Sequence, residues 1–133
     1  MSEDKIDISF IIVNWNTREL IEKGINSIYK FAQGLTYEII LVDNASVDGS
    51  GQMVAEKFPN VKLVKETENL GFSKGNNAGI KKAVGEFIFL FNSDAYLIDT
   101  SLKNLLKKAR ELPNVGAIAP QILNEDRSIQ QSA

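Results

Sequence analysis

Short apolar runs that alternate with helix-forming segments are the feature that most constrains how this chain can fold. The runs at 8–13, 37–42 and 86–91 are rich in Ile, Val, Leu and Phe. Such runs are typical of strands that are buried on both faces of a sheet. The run at 61–66 alternates apolar and charged residues, which predicts a more exposed strand. A further apolar run at 115–120 predicts a fifth strand.

Segments with helical periodicity separate these predicted strands. After the first strand, one face of a predicted helix collects the apolar residues Leu20, Ile21, Ile25 and Ile28. The spacing of Asn16 and Glu19 resembles a capping box, which predicts that this helix starts at Asn16. Later helices are predicted at 51–58, near the end of 69–84, and over 101–113.

The alternating order of strands and helices predicts the fold class. Short connections between doubly apolar strands favour an α/β fold, a mostly parallel sheet with helices on both faces. With 133 residues, the chain has the length of one ordinary domain, so a single domain over 1–133 is expected.

Charge and composition exclude several classes of function. The net charge is −2, from 15 basic and 17 acidic residues, so no nucleic-acid partner is expected. Cysteine and histidine are both absent, so a metal site must use oxygen ligands and a general base must be Asp, Glu, Lys or Tyr. The acidic N-terminus does not resemble a signal peptide, and no apolar run reaches the roughly 20 residues of a membrane span.

Polar residues follow three of the predicted strands at their carboxyl ends, in the sequences VNWN, DNAS and NSDA. Ligands of open parallel sheets bind at this edge. A carboxylate at Asp43 can accept hydrogen bonds from a base or from ribose hydroxyls. Asp94 is a hard oxygen ligand that suits Mg²⁺ or Mn²⁺ when phosphate oxygens complete the shell. The pattern therefore predicts a nucleoside diphosphate site.

Each of these residues also has a purely structural interpretation. Asn14 can cap a helix, Trp15 can pack, Asp43 can stabilise a turn, and Gly71 can permit a tight turn. The glycines after residue 70 match neither the phosphate-binding loop of nucleotide triphosphatases nor the dinucleotide fingerprint.

Four motifs in this order, FIIVNWN, ILVDNASVDGS, NLGFSKGNNAGI and FLFNSDA, resemble the family 2 glycosyltransferases of GT-A fold. The similarity extends over 7–128 and is greatest to the rhamnosyltransferase-like branch of bacterial surface-polysaccharide enzymes. It implies an inverting transfer from a nucleotide-diphospho-sugar, a UDP- or dTDP-sugar, to a glycan or lipid-linked acceptor. It further implies Mg²⁺ or Mn²⁺ as cofactor and a cytoplasmic location at the inner face of the membrane.

The resemblance also implies roles for individual residues. Asp94 matches the metal-binding aspartate of the family's DxD-type motif, whose first aspartate is replaced here by Asn92. The implied nucleotide-binding residues are Val13, Asn14, Trp15, Asp43, Asn44, Asn69, Gly71, Phe72, Lys74, Asn77, Asn92 and Ser93. No catalytic residue is matched, and the general base is expected beyond Ala133. The chain is therefore expected to be a truncated donor-binding half that is inactive in transfer by itself.

Alternatives to a glycosyltransferase have specific requirements. A sugar nucleotidyltransferase usually has a Gly-rich basic loop after its first strand, which VNWNTRE lacks. A receiver-type signalling domain needs paired acidic residues at that position. A nucleotide-binding module without catalysis stays open. Truncation would expose apolar surface, which predicts a homodimer.

Overall fold

A computed structural model describes residues 4–131 of the chain. The chain forms two compact units, one ending at Ile98 and one beginning at Asp99, and each is described by itself. The organisation as a single domain stays a prediction.

The first unit is built on a sheet of four parallel strands in the order β3-β2-β1-β4. Asn14, the last residue of β1, pairs in register with Asp43, the last residue of β2. The carboxyl ends of the strands therefore meet at one edge, which confirms the predicted parallel α/β sheet. The strands are β1 (Ile8–Asn14), β2 (Tyr37–Asp43), β3 (Lys62–Lys65) and β4 (Phe87–Leu90).

Helices cover both faces of this sheet, as predicted. The first unit contains α1 (Arg18–Phe31), α2 (Ser50–Lys57) and α3 (Gly71–Ile80). On one face α3 packs closely on β1, because Gly79 lies directly over Ile11. On the other face α1 approaches Phe91, whose ring contacts that of Phe10. Neighbouring residues of a strand point to opposite faces, so α1 and α3 lie on opposite sides of β1.

The core of the first unit comes from the two central strands and from the inner faces of α1 and α2. Burying such side chains stabilises the fold by about 1.5–3 kcal/mol each. The completely buried large apolar side chains are Ile8, Phe10, Ile11, Ile12, Ile21, Ile25, Ile28, Ile40, Leu41, Val42 and Val54.

Three predictions about these elements are wrong in detail. The first helix begins at Arg18 rather than Asn16, because Asn16 has a positive φ of 55° and its Oδ1 accepts a hydrogen bond from the Val47 amide at 2.8 Å. The helix after the third strand begins already at Gly71, so its Gly/Asn-rich start is helical. The strand at 86–91 is not buried on both faces, because β4 is an edge strand whose Ile88 and Leu90 are exposed.

The second unit contains α4 (Leu102–Glu111), an amphipathic helix with buried Leu102, Leu106 and Ala109. The fifth strand predicted at 115–120 is wrong. These residues are exposed and form no strand pairing within residues 4–131. A strand requires a partner for its backbone groups, and an apolar run does not supply one. An isolated antiparallel bridge joins Leu123 and Ile129.

None of the helices within residues 4–131 is both long enough and apolar enough to span a membrane; the longest, α1, has 14 residues.

Candidate functional site

A cleft of about 250 Å³ opens at the carboxyl end of the sheet in the first unit. The ends of β1 and β4, the start of α1 and the start of α3 contribute its walls. It is lined by Val13, Thr17, Leu20, Phe72, Phe91, Asn92, Ser93 and Asp94. Five of these residues, Val13, Phe72, Asn92, Ser93 and Asp94, are among the predicted site residues.

A tight turn after β4 brings Asp94 to this cleft. The Phe91 amide donates to the Ile11 carbonyl at 2.9 Å, which continues the pairing with β1 by one residue. The Ala95 amide then donates to the Asn92 carbonyl at 3.0 Å and closes the turn. Asp94 is exposed, and within residues 4–131 its carboxylate has no hydrogen bond or ion pair. The carboxylate is therefore available to a ligand.

The donor set of this turn consists of oxygen atoms: the Asp94 carboxylate, the Ser93 hydroxyl and the Asn92 amide oxygen. Mg²⁺ and Mn²⁺ prefer such ligands. Within the described part of the chain, no cluster of three or more acidic, His or Cys residues could hold a metal. The residues therefore fit a cation that takes one carboxylate from the protein and its other ligands from a bound phosphate and from water.

A second, buried group of polar residues lies beside the cleft and centres on Asn14. The Asn14 Nδ2 donates to Ser50 Oγ at 2.7 Å, to Ser46 Oγ at 3.0 Å and to Asp43 Oδ1 at 3.3 Å. The Thr17 hydroxyl donates to Asn14 Oδ1 at 2.6 Å. Both the donor and the acceptor of the Asn14 amide are thus used inside the protein, which ties the end of β1 to the loop after β2.

Asp43 is held in this group through one of its two carboxylate oxygens. Its Oδ1 accepts hydrogen bonds from Asn14 Nδ2 and from the Ser46 amide, the latter at 3.2 Å. Among the described residues, nothing donates a hydrogen bond to Oδ2. Gly51 leaves room for this oxygen, since an added Cβ would collide with it. The side chain is 8% exposed, so a ligand can reach only a small part of it.

Asn44 and Asn69 hold the start of α3 against the end of β2. The Asn44 Oδ1 accepts from the Leu70 amide at 3.1 Å, and its Nδ2 donates to Asn69 Oδ1 at 3.1 Å and to the Gly71 carbonyl at 3.2 Å. Asn69 Oδ1 also accepts from the Gly71 amide at 2.9 Å. These bonds fix the residue before Phe72 and so set the position of that ring in the cleft. The nucleotide contacts predicted for Asn44, Asn69 and Gly71 stay predictions.

The other predicted site residues do not line the cleft. Trp15 is 56% exposed at the same edge of the sheet, and Lys74 and Asn77 lie exposed on α3. Three residues of the cleft were not predicted, namely Thr17, Leu20 and Phe91. The spacing of Thr17 and Leu20, three residues apart at a helix start, was the signal in the sequence that could have identified them.

The loop between β2 and α2 is fixed to the start of α1 by Asp48. Burial acts to raise the pKa of this carboxyl, but hydrogen bonds from the Ser50 hydroxyl, the Ser50 amide and the Arg18 amide outweigh it and lower the pKa. Asp48 is therefore ionised at neutral pH, and it holds in place the loop that follows Asp43 and carries Ser46.

A second concavity of about 210 Å³ lies near the amino end of β2, away from the cleft. It is lined by Tyr29, Tyr37, Glu38, Ile39 and Asn60. Burial raises the pKa of both tyrosines, so they stay protonated at neutral pH. Glu38 already accepts hydrogen bonds from Ser9, Lys62 and Val84. The Glu38 carboxylate is thus used inside the protein, and the concavity lies at the edge of the sheet opposite to the one where ligands of parallel sheets bind.

Comparison with known families gives one match to most of the chain: the model described as glycosyl transferase family 2 matches residues 9–132. Among curated proteins, succinoglycan biosynthesis protein ExoO of Rhizobium meliloti is 31% identical over 108 residues, or 80% of this chain and 31% of that protein. N-acetylglucosaminyl-diphospho-decaprenol L-rhamnosyltransferase of Mycobacterium tuberculosis is 30% identical over 71% of this chain and 34% of that protein. The chain thus spans about a third of the length of these relatives.

Solved structures with the same fold include TarS 1-349 of S. aureus in complex with UDP. It is 28% identical, with a TM-score of 0.71 over 80% of this chain and 32% of that chain. The mannosyltransferase PcManGT of Pyrobaculum calidifontis, in complex with GDP-Man and Mn²⁺, is 30% identical, with a TM-score of 0.68 over 77% of this chain and 32% of that chain.

Proposed function

Because the chain belongs to glycosyl transferase family 2, we propose that its first unit binds the nucleoside diphosphate part of a nucleotide-sugar donor. One observation carries the proposal. The cleft at the carboxyl end of the sheet contains the Asp94 carboxylate, which has no partner within residues 4–131. The structural relatives with UDP, UDP-GlcNAc and GDP-Man support a nucleotide sugar as the ligand class.

The chemistry of the surrounding groups suits such a donor. Asp43 Oδ2 can accept a hydrogen bond from a base N–H or a ribose hydroxyl. The exposed rings of Trp15 and Phe72, 56% and 60% exposed, offer apolar surface to a base or sugar. Asn92 and Ser93 offer donors to phosphate oxygens. A UDP- or dTDP-sugar is the donor that we favour.

A divalent cation, Mg²⁺ or Mn²⁺, is proposed to bind between Asp94 and the donor diphosphate. When bound, it neutralises the charge that develops on the leaving diphosphate. The replacement of an aspartate by Asn92 leaves one carboxylate in the turn, so we expect weak metal binding without the donor and stronger binding with it. The Mn²⁺ in the complex of PcManGT supports this assignment.

The proposed reaction is a single displacement at the anomeric carbon of the sugar. An oxygen of the acceptor hydroxyl forms the new bond to this carbon, the bond to the diphosphate oxygen breaks, and its electron pair leaves with the diphosphate. The acceptor proton goes to a general base, and one displacement inverts the anomeric configuration. A glycan or a lipid-linked sugar is the proposed acceptor, and the cytoplasmic face of the membrane is the proposed location.

A donor-binding module without transfer is the second candidate. Asp94 is the one carboxylate that lines the cleft among the described residues, and the proposal already uses it for the metal. None of the other cleft residues is acidic or basic, so residues 4–131 place no general base beside the cation. This observation favours donor binding as the property of residues 4–131.

Calorimetry with UDP, dTDP and GDP, each with and without Mn²⁺, tests the proposal. We expect binding of at least one diphosphate, strengthened by the metal. Asp94→Asn removes the negative charge but keeps the size of the side chain. It should therefore abolish the increase in diphosphate affinity that Mn²⁺ causes, and it should leave the affinity without metal unchanged. Its melting temperature should stay within about 1 °C, because an exposed and unpartnered side chain contributes little stability.

The matched control is Glu56→Gln, which removes one negative charge from the exposed side of α2 and does not line the cleft. It should bind all ligands as the wild type does. The absence of binding by all three diphosphates at millimolar concentration would overturn the proposal. A metal effect that is equal in the wild type and in Asp94→Asn would remove Asp94 from the site.

A further inference from the structure

The turn that carries Asp94 is not stabilised by Asp94 itself. The aspartate has no side-chain partner within residues 4–131, so its position is set by the residues on either side. Before the turn, the Phe91 amide is bonded to β1. After the turn, the chain from Ala95 to Ile98 has no regular secondary structure. Contacts with another element must therefore fix this second side.

Helix α1 supplies these contacts through Gly24 and Ser27. The buried Ser27 hydroxyl accepts a hydrogen bond from the Leu97 amide at 2.9 Å and donates to the Gly24 carbonyl at 2.7 Å. One hydroxyl thus joins the helix backbone to the irregular segment after the turn. At Gly24 the Ala95 carbonyl approaches so closely that an added Cβ would lie 2.9 Å from its oxygen.

The same stripe of α1 reaches the cleft. The residues that line the cleft or contact the turn recur at i, i+3, i+7 and i+10, the spacing of one helical face: Thr17, Leu20, Gly24 and Ser27. Next to this stripe, the Lys23 ammonium lies 3.6 Å from the centre of the Tyr96 ring, a cation–π contact with the same segment.

We propose that Gly24 and Ser27 are positioning residues for Asp94, which set where its carboxylate meets the cation of a bound nucleoside diphosphate. The inference rests on the proposed function, because it concerns the metal-binding role of Asp94. Neither residue touches the ligand. They act through the backbone of the loop, Gly24 by allowing the Ala95 carbonyl to approach and Ser27 by holding the Leu97 amide.

Two substitutions disturb the loop in different ways. Gly24→Ala places a methyl group against a backbone carbonyl, so residue 95 must move and Asp94 moves with it. Ser27→Ala removes the acceptor of the Leu97 amide and releases the far side of the turn. A misplaced metal ligand holds the cation less well against the diphosphate, so that the cation strengthens UDP binding less. We therefore expect the factor by which Mn²⁺ increases the affinity for UDP to be about tenfold smaller in both variants than in the wild type. The affinity for UDP without metal should stay within about twofold.

Two matched variants separate positioning from stability. Ser27→Thr keeps a hydroxyl that can bond to the preceding helical turn, and it should restore the metal effect. Asn26→Ala changes the neighbouring, exposed residue of the same helix and should leave the metal effect at the wild-type value. Thermal unfolding of each variant identifies any that fail to fold. If Gly24→Ala does not fold, the comparison of Ser27→Ala with Ser27→Thr still tests whether the loop contacts position Asp94.

The outcomes are distinguishable. A wild-type chain that binds UDP equally well with and without Mn²⁺ overturns the metal role in the proposed function and the inference with it. A wild-type chain with a metal effect that persists undiminished in folded Ser27→Ala overturns the inference alone. Loss of metal-free UDP affinity in parallel with the metal effect would also contradict it, because a general structural defect predicts that result.

Discussion

The amide of Asn14 connects three parts of the chain at a single buried point. It links the end of β1 to Asp43 at the end of β2, to Ser46 in the following loop and Ser50 at the start of α2, and to Thr17 just before α1. A buried amide that satisfies both its donor and its acceptor rigidifies its surroundings. Asp43 is therefore held at a fixed place beside the cleft before any ligand arrives.

Replacing Asn14 by Ala should destabilise the chain without touching the cation site. The substitution removes the partners of Ser50, Asp43 and Thr17 in a fully buried place, and we expect the free energy of unfolding to fall by about 2–4 kcal/mol. Urea denaturation followed by circular dichroism measures this change.

Asn92→Ala is the matched control, because this exposed asparagine also follows a strand but has no side-chain hydrogen bond within residues 4–131. Its stability should change by no more than about 0.5 kcal/mol. If Asn14→Ala were as stable as this control, the amide network would have no structural importance.

Trp15 provides a direct signal for ligand binding. It is the single tryptophan of the sequence, and it lies 56% exposed, two residues after the cleft residue Val13. Stacking of a base or sugar would remove part of the indole from water, so we expect UDP to shift and quench its emission, saturating with the affinity found by calorimetry. Emission that stays constant at saturating UDP would exclude Trp15 from the site.

At this scale, the sequence indicates which strand ends carry polar side chains but not which of them are buried. Asn14 and Asn92 have the same chemistry, and each directly follows an apolar run that predicts a strand, at 8–13 and at 86–91. One is buried because the loops after β1 and β2 close over the centre of the sheet, while the other follows an edge strand. That difference depends on strand order, which the sequence pattern does not contain.

Among the elements, α3 shows how small residues bring a helix close to the sheet. An added Cβ at Gly79 would lie 2.6 Å from Ile11 Cγ2, and one at Gly75 would lie 2.9 Å from Val13 Cγ1. Both contacted side chains are β-branched and stiff at χ1, so they cannot easily move aside. The glycines are therefore needed for the close packing that brings Phe72 to the cleft.

Gly79→Ala tests this packing. An alanine gains about 1 kcal/mol of helix propensity over glycine, but the collision with Ile11 costs about 1–3 kcal/mol. We therefore expect a net loss of stability of up to about 2 kcal/mol. Ser73→Ala, at an exposed position of the same helix, should be neutral or slightly stabilising. Chemical denaturation of both variants gives the comparison. A gain of stability in Gly79→Ala would show that α3 can move away from β1 at no cost.

Strands in the interior of the sheet were predictable and those at its edges less so. The runs at 8–13 and 37–42 correspond closely to β1 and β2, because strands that are buried on both faces are typically apolar along most of their length. The run at 86–91 is equally apolar, yet β4 has one strand neighbour in the described chain. The run at 115–120 formed no strand at all, since strand formation requires an available edge as well as apolar side chains.

For the whole molecule, the alternation of apolar runs and helical segments was sufficient to predict a parallel sheet with helices on both faces. The strand order and the polar contacts that hold it were not predictable, because they join residues far apart in sequence. Glu38 is the clearest case. Its carboxylate accepts hydrogen bonds from Ser9 in β1 at 2.5 Å, from Lys62 in β3 at 2.6 Å and from the Val84 amide at 2.8 Å.

This carboxylate should make the stability of the molecule depend on pH. Burial acts to raise the pKa of Glu38, but the hydrogen bonds from Lys62, Ser9 and the Val84 amide outweigh it, so the pKa in the folded state lies below the ordinary value of 4.5. A lowered pKa contributes stability that is complete above the pKa of the unfolded chain and is lost as the pH falls through the folded value.

Glu38→Gln should remove this contribution. We expect a loss of about 1–2 kcal/mol at pH 7, and a stability that falls less steeply than that of the wild type between roughly pH 5 and pH 3. Urea denaturation at several pH values measures how the free energy of unfolding of the wild type and of the variant depends on pH. Glu56→Gln, on the exposed side of α2, is the control for removal of one charge. The difference between wild type and Glu38→Gln should therefore shrink as the pH falls. If the stabilities of the wild type and of Glu38→Gln changed in parallel with pH, the charge of Glu38 would not hold the three strands together. Hydrogen bonds to an uncharged side chain would then be sufficient.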